Sequence, residues 1–350
     1  NRNMENQKLT LEQQIDYIWN NIRGFHLVHL IYTGHKLGIF DLFIDTKNEA
    51  GLTIKQISDF KKLDFDYIEK WCFCAIAWKI LDDKEGDRLQ LSEHMDAILG
   101  KPGDPRYLLP YITACIEHFG PDMKEHYKYI KSGGIFKFQD HGNEFSRSIG
   151  EITEGLQTLM VRRILPNLES VNKVLTRGGN LLDVGCGTAK LLIKAQNLFP
   201  KSKFYGLDID KEGIAIANEN ITKCKLKDNI SILNFDEDTL PEDSTMDVVT
   251  LVEVLHEIPR VDRLKVFKTI YKLMKKNGTL VILDETMPVR KDLRISEYSL
   301  AIQTQYNEMT WGNVVPNAEE QDKLLSNSGF VNINRSNIGG YFTLLVAHPN

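Results

Sequence analysis

The run Asn180-Leu-Leu-Asp-Val-Gly-Cys-Gly-Thr-Ala-Lys190 constrains this chain more than any other stretch. Asn180 to Asp183 end an apolar strand, Gly185 and Gly187 let the backbone turn sharply, and Thr188 to Phe199 has the apolar periodicity of a helix. Strand, glycine turn and helix form a nucleotide cradle. Glycine has no Cβ, so the chain can approach a ligand closely, while free amides at the helix start favour an anionic or polar group.

A dinucleotide fingerprint would read Gly-x-Gly-x-x-Gly, but position 190 is Lys and the small residue, Ala189, comes one place early. That weakens a nicotinamide reading. A second strand, Lys203 to Leu207, ends in Asp208, whose carboxylate suits the two hydroxyls of a ribose. A third, Ser231 to Phe235, is followed by Asp236.

Taken in order, Asp-Val-Gly-Cys-Gly-Thr-Ala, Tyr-Gly-Leu-Asp-Ile-Asp and Asn-Phe-Asp resemble the first three motifs of class I S-adenosylmethionine-dependent methyltransferases. The resemblance implies that S-adenosylmethionine is the cofactor. Gly185 and Gly187 would face its methionine part, Asp208 would hold the ribose, and Phe235 with Asp236 would contact the adenine. Asp183, Cys186, Ile209 and Leu251 complete the cofactor-binding set that it implies. The plainer alternative is another Rossmann-like protein whose acids cap loops.

A single core seldom grows past roughly 250 to 300 residues, so 350 residues suggest more than one domain. The net charge of −5, with both signs scattered, provides no basic field for nucleic acid or an anionic membrane. No apolar run approaches the roughly 20 residues needed to span a bilayer, and Asn1 to Thr10 is polar, without a signal-peptide apolar region. The five cysteines (Cys72, Cys74, Cys115, Cys186, Cys224) are irregularly spaced, as expected of reduced thiols in a cytoplasmic protein. Cys72 and Cys74 would point to different helix faces, and no metal site is expected.

Leu9 to Trp19 and Phe25 to Leu37 read as a pair of apolar helices that something must cover. Thr53 to Phe60, with Thr53 and Gln56 as a capping box, and Asp64 to Ile80 read as two more, followed by a hairpin across Leu81 to Leu91. This is the pattern of a winged helix. Its reading helix would present Asp64, Asp66 and Glu69 to phosphates, which argues against DNA. Gly38-Ile-Phe-Asp-Leu-Phe, Thr-Ile-Lys-Gln-Ile and Asp66-Tyr-Ile-Glu-Lys-Trp resemble the N-terminal dimerisation domain of many small-molecule O-methyltransferases, which implies a homodimer. Residues 1–104 are assigned to that domain.

Residues 105–170 read as a helical linker and substrate-covering region, interrupted at Gly120-Pro121 and Ser132-Gly133-Gly134. Its aromatic and histidine residues, among them Phe136, Phe138, His141 and Phe145, suit either core or pocket. Residues 171–350 alternate strand and helix, the pattern of a Rossmann-like α/β doubly wound sheet. Asn317 and Glu320 cap a last helix before Gly329, and Phe330 to Ile338 and Tyr341 to Ala347 form a hairpin across Gly339-Gly340. The resemblance makes that hairpin the antiparallel ending of a mostly parallel sheet.

Methyl transfer from a sulfonium is an in-line displacement. Alignment contributes most, at ~7 to 11 kcal/mol, while a general base adds roughly 10² to 10⁴-fold. His256, just past the fourth strand, stands where related small-molecule O-methyltransferases place a histidine base; Glu257 follows it, and Asp284 is at the position of the acid that orients it. Glu285 would point the other way if the strand continued. In two places the pattern departs. The family's second flanking acid would fall near Val315, which cannot serve, and Val252 stands for the family's lysine. Tyr298, Gln305, Tyr306, Met309 and Trp311, on the connection from Met287 to Pro316, suit either an acceptor slot or ordinary lid packing.

These readings lead to O-methylation of a small aromatic hydroxylated metabolite. The alternatives are N- or C-methylation of a small molecule, or a cofactor-binding regulator that uses the winged helix on DNA.

Overall fold

The computed structural model describes residues 8–350, so the polar start Asn1 to Gln7 lies outside the described residues. The chain divides into two compact units, Asn1–Pro121 and Asp122–Asn350.

In the first unit, α1 (Leu11–Lys36) is one 26-residue helix where the sequence suggests two. Gly24 costs it only about 1 kcal/mol in an exposed helix interior, and nothing lies within 4 Å of where its Cβ would be. Thr10 and Gln13 cap it reciprocally. Only its C-terminal part is buried, at Leu30, Ile31 and Gly34, where the missing Cβ admits the rings of Trp71 and Phe40.

After α2 (Ile39–Ile44) comes β1 (Leu52–Thr53), then α3 (Ile54–Lys61), started by the expected Thr53–Gln56 capping box. Helix α4 (Phe65–Ala77) is capped by Asp64 and stops short of the expected Ile80, because Trp78 and Lys79 already leave helical geometry. Strands β2 (Leu81–Lys84) and β3 (Arg88–Leu91) form the expected hairpin, and β1 pairs with β3 in an antiparallel sheet of order β1-β3-β2. Cys72 is buried in this core and Cys74 is exposed. Next come α5 (Met95–Gly100) and α6 (Leu109–Ala114).

Gly120-Pro121 does not interrupt the helical path. A π-helical turn over Cys115–Phe119 leads straight into α7 (Gly120–Ser132). The wider turn accommodates the proline, which has no amide to donate. A Cβ on Gly120 would lie 2.7 Å from the Cys115 carbonyl oxygen, so the turn also needs glycine.

In the second unit, α8 (Asn143–Ile152) and α9 (Glu154–Leu159) lead through another π turn, Met160–Ile164, to α10 (Leu165–Asn167) and α11 (Glu169–Arg177). The sheet follows as β4 (Asn180–Val184), α12 (Lys190–Leu198), β5 (Lys203–Asp208), α13 (Lys211–Lys223), β6 (Ile230–Asn234), β7 (Met246–Val252), α14 (Arg260–Leu273) and β8 (Met274–Asp284). Helices α15 (Ser299–Glu308) and α16 (Ala318–Asn327) precede β9 (Phe330–Ile338) and β10 (Phe342–Pro349). The order is β6-β5-β4-β7-β8-β10-β9. The pairs from β6 to β8 are parallel, and β10 is antiparallel to both β8 and β9.

One apolar cluster on the sheet gathers Val171, Leu175, Leu191, Leu192 and Ala217 from α11 to α13, and another gathers Phe267, Ile270 and Leu325 from α14 and α16. Both layers bury strand residues such as Leu181, Leu182, Val248 and Val249, which explains the near-continuous apolar strands. The architecture is the expected doubly wound sheet with an antiparallel ending, after a mainly helical N-terminal region.

Candidate active site

Strands β4, β5 and β7 are neighbours, so their carboxyl ends bring the glycine turn, Asp208 and the His256 loop to one edge, where open α/β sheets take their ligands. Gly185 (φ 71°) and Gly187 (φ 48°) are both left-handed, as is Ala189 (φ 62°). A Cβ on Gly185 would lie 2.4 Å from a Val254 methyl, whereas one on Gly187 would meet nothing within 4 Å. The first glycine lets the loop after β7 close against the turn; the second faces open space. Helix α12 begins at Lys190, later than expected, because the left-handed Ala189 serves as its N-cap.

Asp208 accepts the Gly187 amide at 2.7 Å and the Ile209 and Asp210 amides at 2.7 and 2.9 Å. An ionised carboxylate has about four acceptor sites, so three backbone donors leave capacity for a ribose hydroxyl. Asp183 is buried and accepts from Thr250 Oγ1 at 2.7 Å; burial foremost, with Asp208 nearby, pushes its carboxyl up to about 7. Cys186 is buried against Gly206, where an added Cβ would lie 2.6 Å from its sulfur. Phe235 falls just past β6 and donates its amide to the Asp208 carbonyl at 2.8 Å; exposed Ile209 follows Asp208 and exposed Asp236 follows Phe235. Leu251 is fully buried among the apolar side chains of β7 and its neighbours, so its side chain is not at the surface of this cradle.

Helical residues rest on the cradle from the amino-terminal side of the unit. Ser146 Oγ donates to Asp210 at 2.7 Å, Gly150 packs against Thr188, and Glu154 pairs with Lys190 and Lys194 at 2.6 and 2.9 Å.

Beyond β7, His256 is 2% exposed. Its Nδ1 lies 2.6 Å from Asp284 Oδ1 and its Nε2 3.2 Å from Glu308 Oε2. Asp284 also accepts the His256 amide at 3.3 Å and the Glu285 amide at 2.8 Å. Burial alone would depress the imidazolium, but Asp284 and Glu308 outweigh it and hold it well above the usual histidine range. Burial works against the Asp284 carboxylate too, yet the facing His256 keeps it below its ordinary value.

Strand alternation predicts that Glu285 points away from the site, and the structure corrects this. The strand ends at Asp284, so alternation stops there, and Glu285 Oε2 lies 3.6 Å from His256 Nδ1. Glu285 is 1% exposed, and burial first raises its carboxyl to about 7. Glu253 and Glu257 are raised well above the carboxylate range, again by burial first, then by Glu285 and Glu308 respectively. One ligand atom each from Glu253, His256 and Glu285, and from His256, Glu257 and Glu308, lie within 4.8 Å of one another, a spacing that a metal ion can bridge. The sequence predicts no metal site and gives no sign of this crowding.

Nor does it point to Glu308. That residue ends α15, while the expected position of a second flanking acid, Val315, is buried and donates its amide to Gln305. No spacing rule leads to Glu308, because the lid's turns set its approach. Elsewhere in the lid, Gln305 bonds backbone, and Trp311 is buried with its Nε1 donating to Asp122 at 2.7 Å. Tyr306 is 53% exposed, edge-on to His126. Phe138, His141 and Phe145 pack with Trp311 in one aromatic cluster, and His141 pairs with Asp122 at 2.7 Å.

A glycine turn at the head of a doubly wound sheet, acids tipping the next strands and an antiparallel ending define the methyltransferase class. A methyltransferase-domain family profile matches residues 175–327. Demethylmenaquinone methyltransferase of Alkalihalophilus pseudofirmus is 30% identical over 169 residues, 44% of this chain and 70% of that protein. Its counterpart in Geobacillus sp. is 27% identical over 45% of this chain and 73% of that protein. Among solved structures, human N-acetylserotonin methyltransferase in complex with S-adenosylmethionine superimposes with a TM-score of 0.78 at 15% identity, covering 98% of this chain and 100% of that one. The N,N-8-amino-8-demethyl-D-riboflavin dimethyltransferase of Streptomyces davawensis does so with a TM-score of 0.64 at 17% identity, covering 98% and 100%. The chain belongs to the S-adenosylmethionine-dependent methyltransferases.

Proposed function

We propose that this methyltransferase acts on a hydroxyl of a small aromatic metabolite, with His256 as general base. The observation that carries the reading is the 2.6 Å bond from His256 to Asp284. It fixes Nδ1–H toward the carboxylate, makes Nε2, beside Glu308, the nitrogen that exchanges a proton, and stabilises the imidazolium that results. The resemblance to small-molecule O-methyltransferases supports it independently.

The cradle fits S-adenosylmethionine. Gly187 faces open space, Asp208 keeps acceptor capacity for the ribose, and Ile209, Phe235 and Asp236 follow the tips of β5 and β6, where an adenine would lie. Gly185, Cys186 and Asp183 shape the turn beneath. When bound, the cofactor supplies a methyl group made electrophilic by its sulfonium. The protein's part is to align the acceptor with it, from which most of the acceleration comes, and to accept the hydroxyl proton at Nε2. Asp284 and Glu308 raise the basicity of His256, which favours proton transfer from a weakly acidic hydroxyl at the cost of a larger resting imidazolium fraction. Glu257 lies beside Glu308 and His256, and burial with Glu308 nearby keeps its carboxyl above the ordinary range, so it stands there as a proton-carrying neighbour.

The proposed division of labour gives dimerisation to residues 1–104, covering of the acceptor to the helices of 105–170, and cofactor binding to 171–350. The amino-terminal part of α1 supports a homodimer: Leu11, Ile15, Ile18, Trp19 and Phe25 are 71, 48, 56, 53 and 61% exposed, a run of apolar surface that a second copy would cover. A cytoplasmic location is part of the same proposal; among the described residues no helix is long and apolar enough to cross a membrane.

The test is turnover of phenols, amines and thiols with labelled S-adenosylmethionine, comparing wild type with His256→Ala. O-methylated product and a loss of at least about 10²-fold are expected. Turnover within a few fold of wild type would favour methylation of nitrogen or carbon instead.

A further inference from the structure

The proposed base uses Asp284 and Glu308 through His256, which leaves Glu253 and Glu285 without a role. Glu285 is 1% exposed; its Oε1 accepts from Thr304 at 2.7 Å, and its Oε2 is buried with no hydrogen-bond partner. Glu253 Oε1 is likewise buried and unpartnered. With His256, the two glutamates converge to within 4.8 Å. A buried acceptor without a donor costs about 1–3 kcal/mol, more when charged, and persists where something else supplies the donor.

Among the described residues, no hydrogen-bond donor reaches either oxygen. Five carboxyl groups (Glu253, Glu257, Asp284, Glu285 and Glu308) surround one imidazole, and among the described residues no lysine or arginine forms an ion pair with any of them. The nearby cation, Arg263, spends its guanidinium on the carbonyls of His256, Ile258 and Val314. Burial and mutual crowding hold the Glu253 and Glu285 carboxyls above their ordinary values, and a neutral or anionic phenol brings no charge that would let them ionise. A ligand with an ammonium group would bring both the donors and the charge.

We propose that the acceptor carries a protonated amine in addition to its reacting hydroxyl, and that Glu253 and Glu285 hold that amine. This rests on the reading of the site as a small-molecule acceptor pocket. The hydroxyl faces Nε2 of His256, while the ammonium donates to the open oxygens of the two glutamates. A charge-assisted bond is roughly twice as strong as a neutral one, so the pair selects the amine-bearing molecule. The enzyme thereby rejects the isostere that lacks the amine, because the two oxygens would stay unpaired.

The experiment uses the full chain saturated with S-adenosylhomocysteine and measures dissociation constants by calorimetry. The probes are tyramine, 4-ethylphenol and 3-(4-hydroxyphenyl)propanoate, with the matching amine, neutral and carboxylate derivatives of 2-naphthol as a second ring size. In at least one series, the amine is expected to bind about ten-fold more tightly than the neutral member, with the carboxylate weakest. In Glu253→Gln and in Glu285→Gln, shown folded by thermal unfolding, the amine-to-neutral ratio is expected to fall to near one.

The proposal is overturned if neutral members bind as well as amines in both series, or if both variants keep the wild-type ratio. It also falls if the variants weaken S-adenosylmethionine but not S-adenosylhomocysteine, since the pair would then serve the donor's sulfonium. Tight binding of Mg²⁺ or Mn²⁺ that excludes the amine would overturn it in favour of a metal site. The position of the transferred methyl, read by NMR, tests the hydroxyl reading separately: an N-methylated product with the amine preference intact sinks that reading and leaves this one standing.

Discussion

The carboxylate of Asp208 accepts the amide proton of Gly187 at 2.7 Å, tying the tip of one strand to the turn that follows its neighbour. The same side chain fastens the loop and has room left for a ligand hydroxyl. Asp208→Ala is therefore expected to loosen both, weakening S-adenosylhomocysteine binding at least about ten-fold in a calorimetric titration. Unchanged affinity would show that the ribose is held elsewhere.

Gly185 has φ of 71°, and a Cβ there would lie 2.4 Å from Val254. Gly185→Ala meets both obstacles at once, and we expect a loss of about 1–3 kcal/mol in a urea titration. Gly187→Ala, whose Cβ would meet no protein atom, should cost less stability and more cofactor affinity. Comparing the two by denaturation and calorimetry separates packing from binding.

His256 titrates above the usual histidine range because Asp284 and Glu308 outweigh burial, with Glu253, Glu257 and Glu285 also facing it and Arg263 turned to backbone. The neutral base appears only above that raised pKa, so kcat/KM is expected to climb at a higher pH than an ordinary histidine base would give. Its stabilising effect has the opposite trend. It is fully present below the unfolded value of ~6.5 and is lost as pH rises through the folded value. Glu308→Gln should move the activity limb to lower pH, and a limb that stays put would dissociate it from His256.

Asn317 and Glu320 satisfy each other's backbone amides at 2.9 Å, at the start of the helix that closes the lid. Asn317→Ala is expected to cost about 1 kcal/mol, seen as a lower thermal midpoint.

The exposed run on α1 supplies a prediction about assembly. Trp19→Glu combined with Phe25→Glu, at 53 and 61% exposure, should turn a dimer into a monomer in sedimentation velocity without unfolding the chain. A wild-type monomer would remove the proposed role of residues 1–104.

What can be read from the sequence is mostly local. The capping boxes at Thr53 and Asn317 sit at the residues their side chains name, because a cap is decided within four residues. The strands bearing Asp183, Asp208 and Asp284 are legible because burial on both faces leaves an apolar run. Helix α1 reads as two because a lone glycine looks like a break but is a weak one, and Gly120-Pro121 misleads because a π turn accommodates proline. In the site, the family resemblance pairs His256 with Asp284 in advance, one just past a strand and the other at a strand end. Glu308 cannot be so paired, since it reaches His256 across 52 residues of chain through a lid without periodicity. Glu285 is misplaced for one reason: alternation holds only if the strand runs one residue further than it does.

Strand β10 lies between β8 and β9, and its Thr343 stands opposite Asp284. During synthesis, then, the strand that carries Asp284 has an open edge until β10 has been made. Until then its unpaired backbone groups face outward, and the incomplete chain is most open there to pairing with another strand.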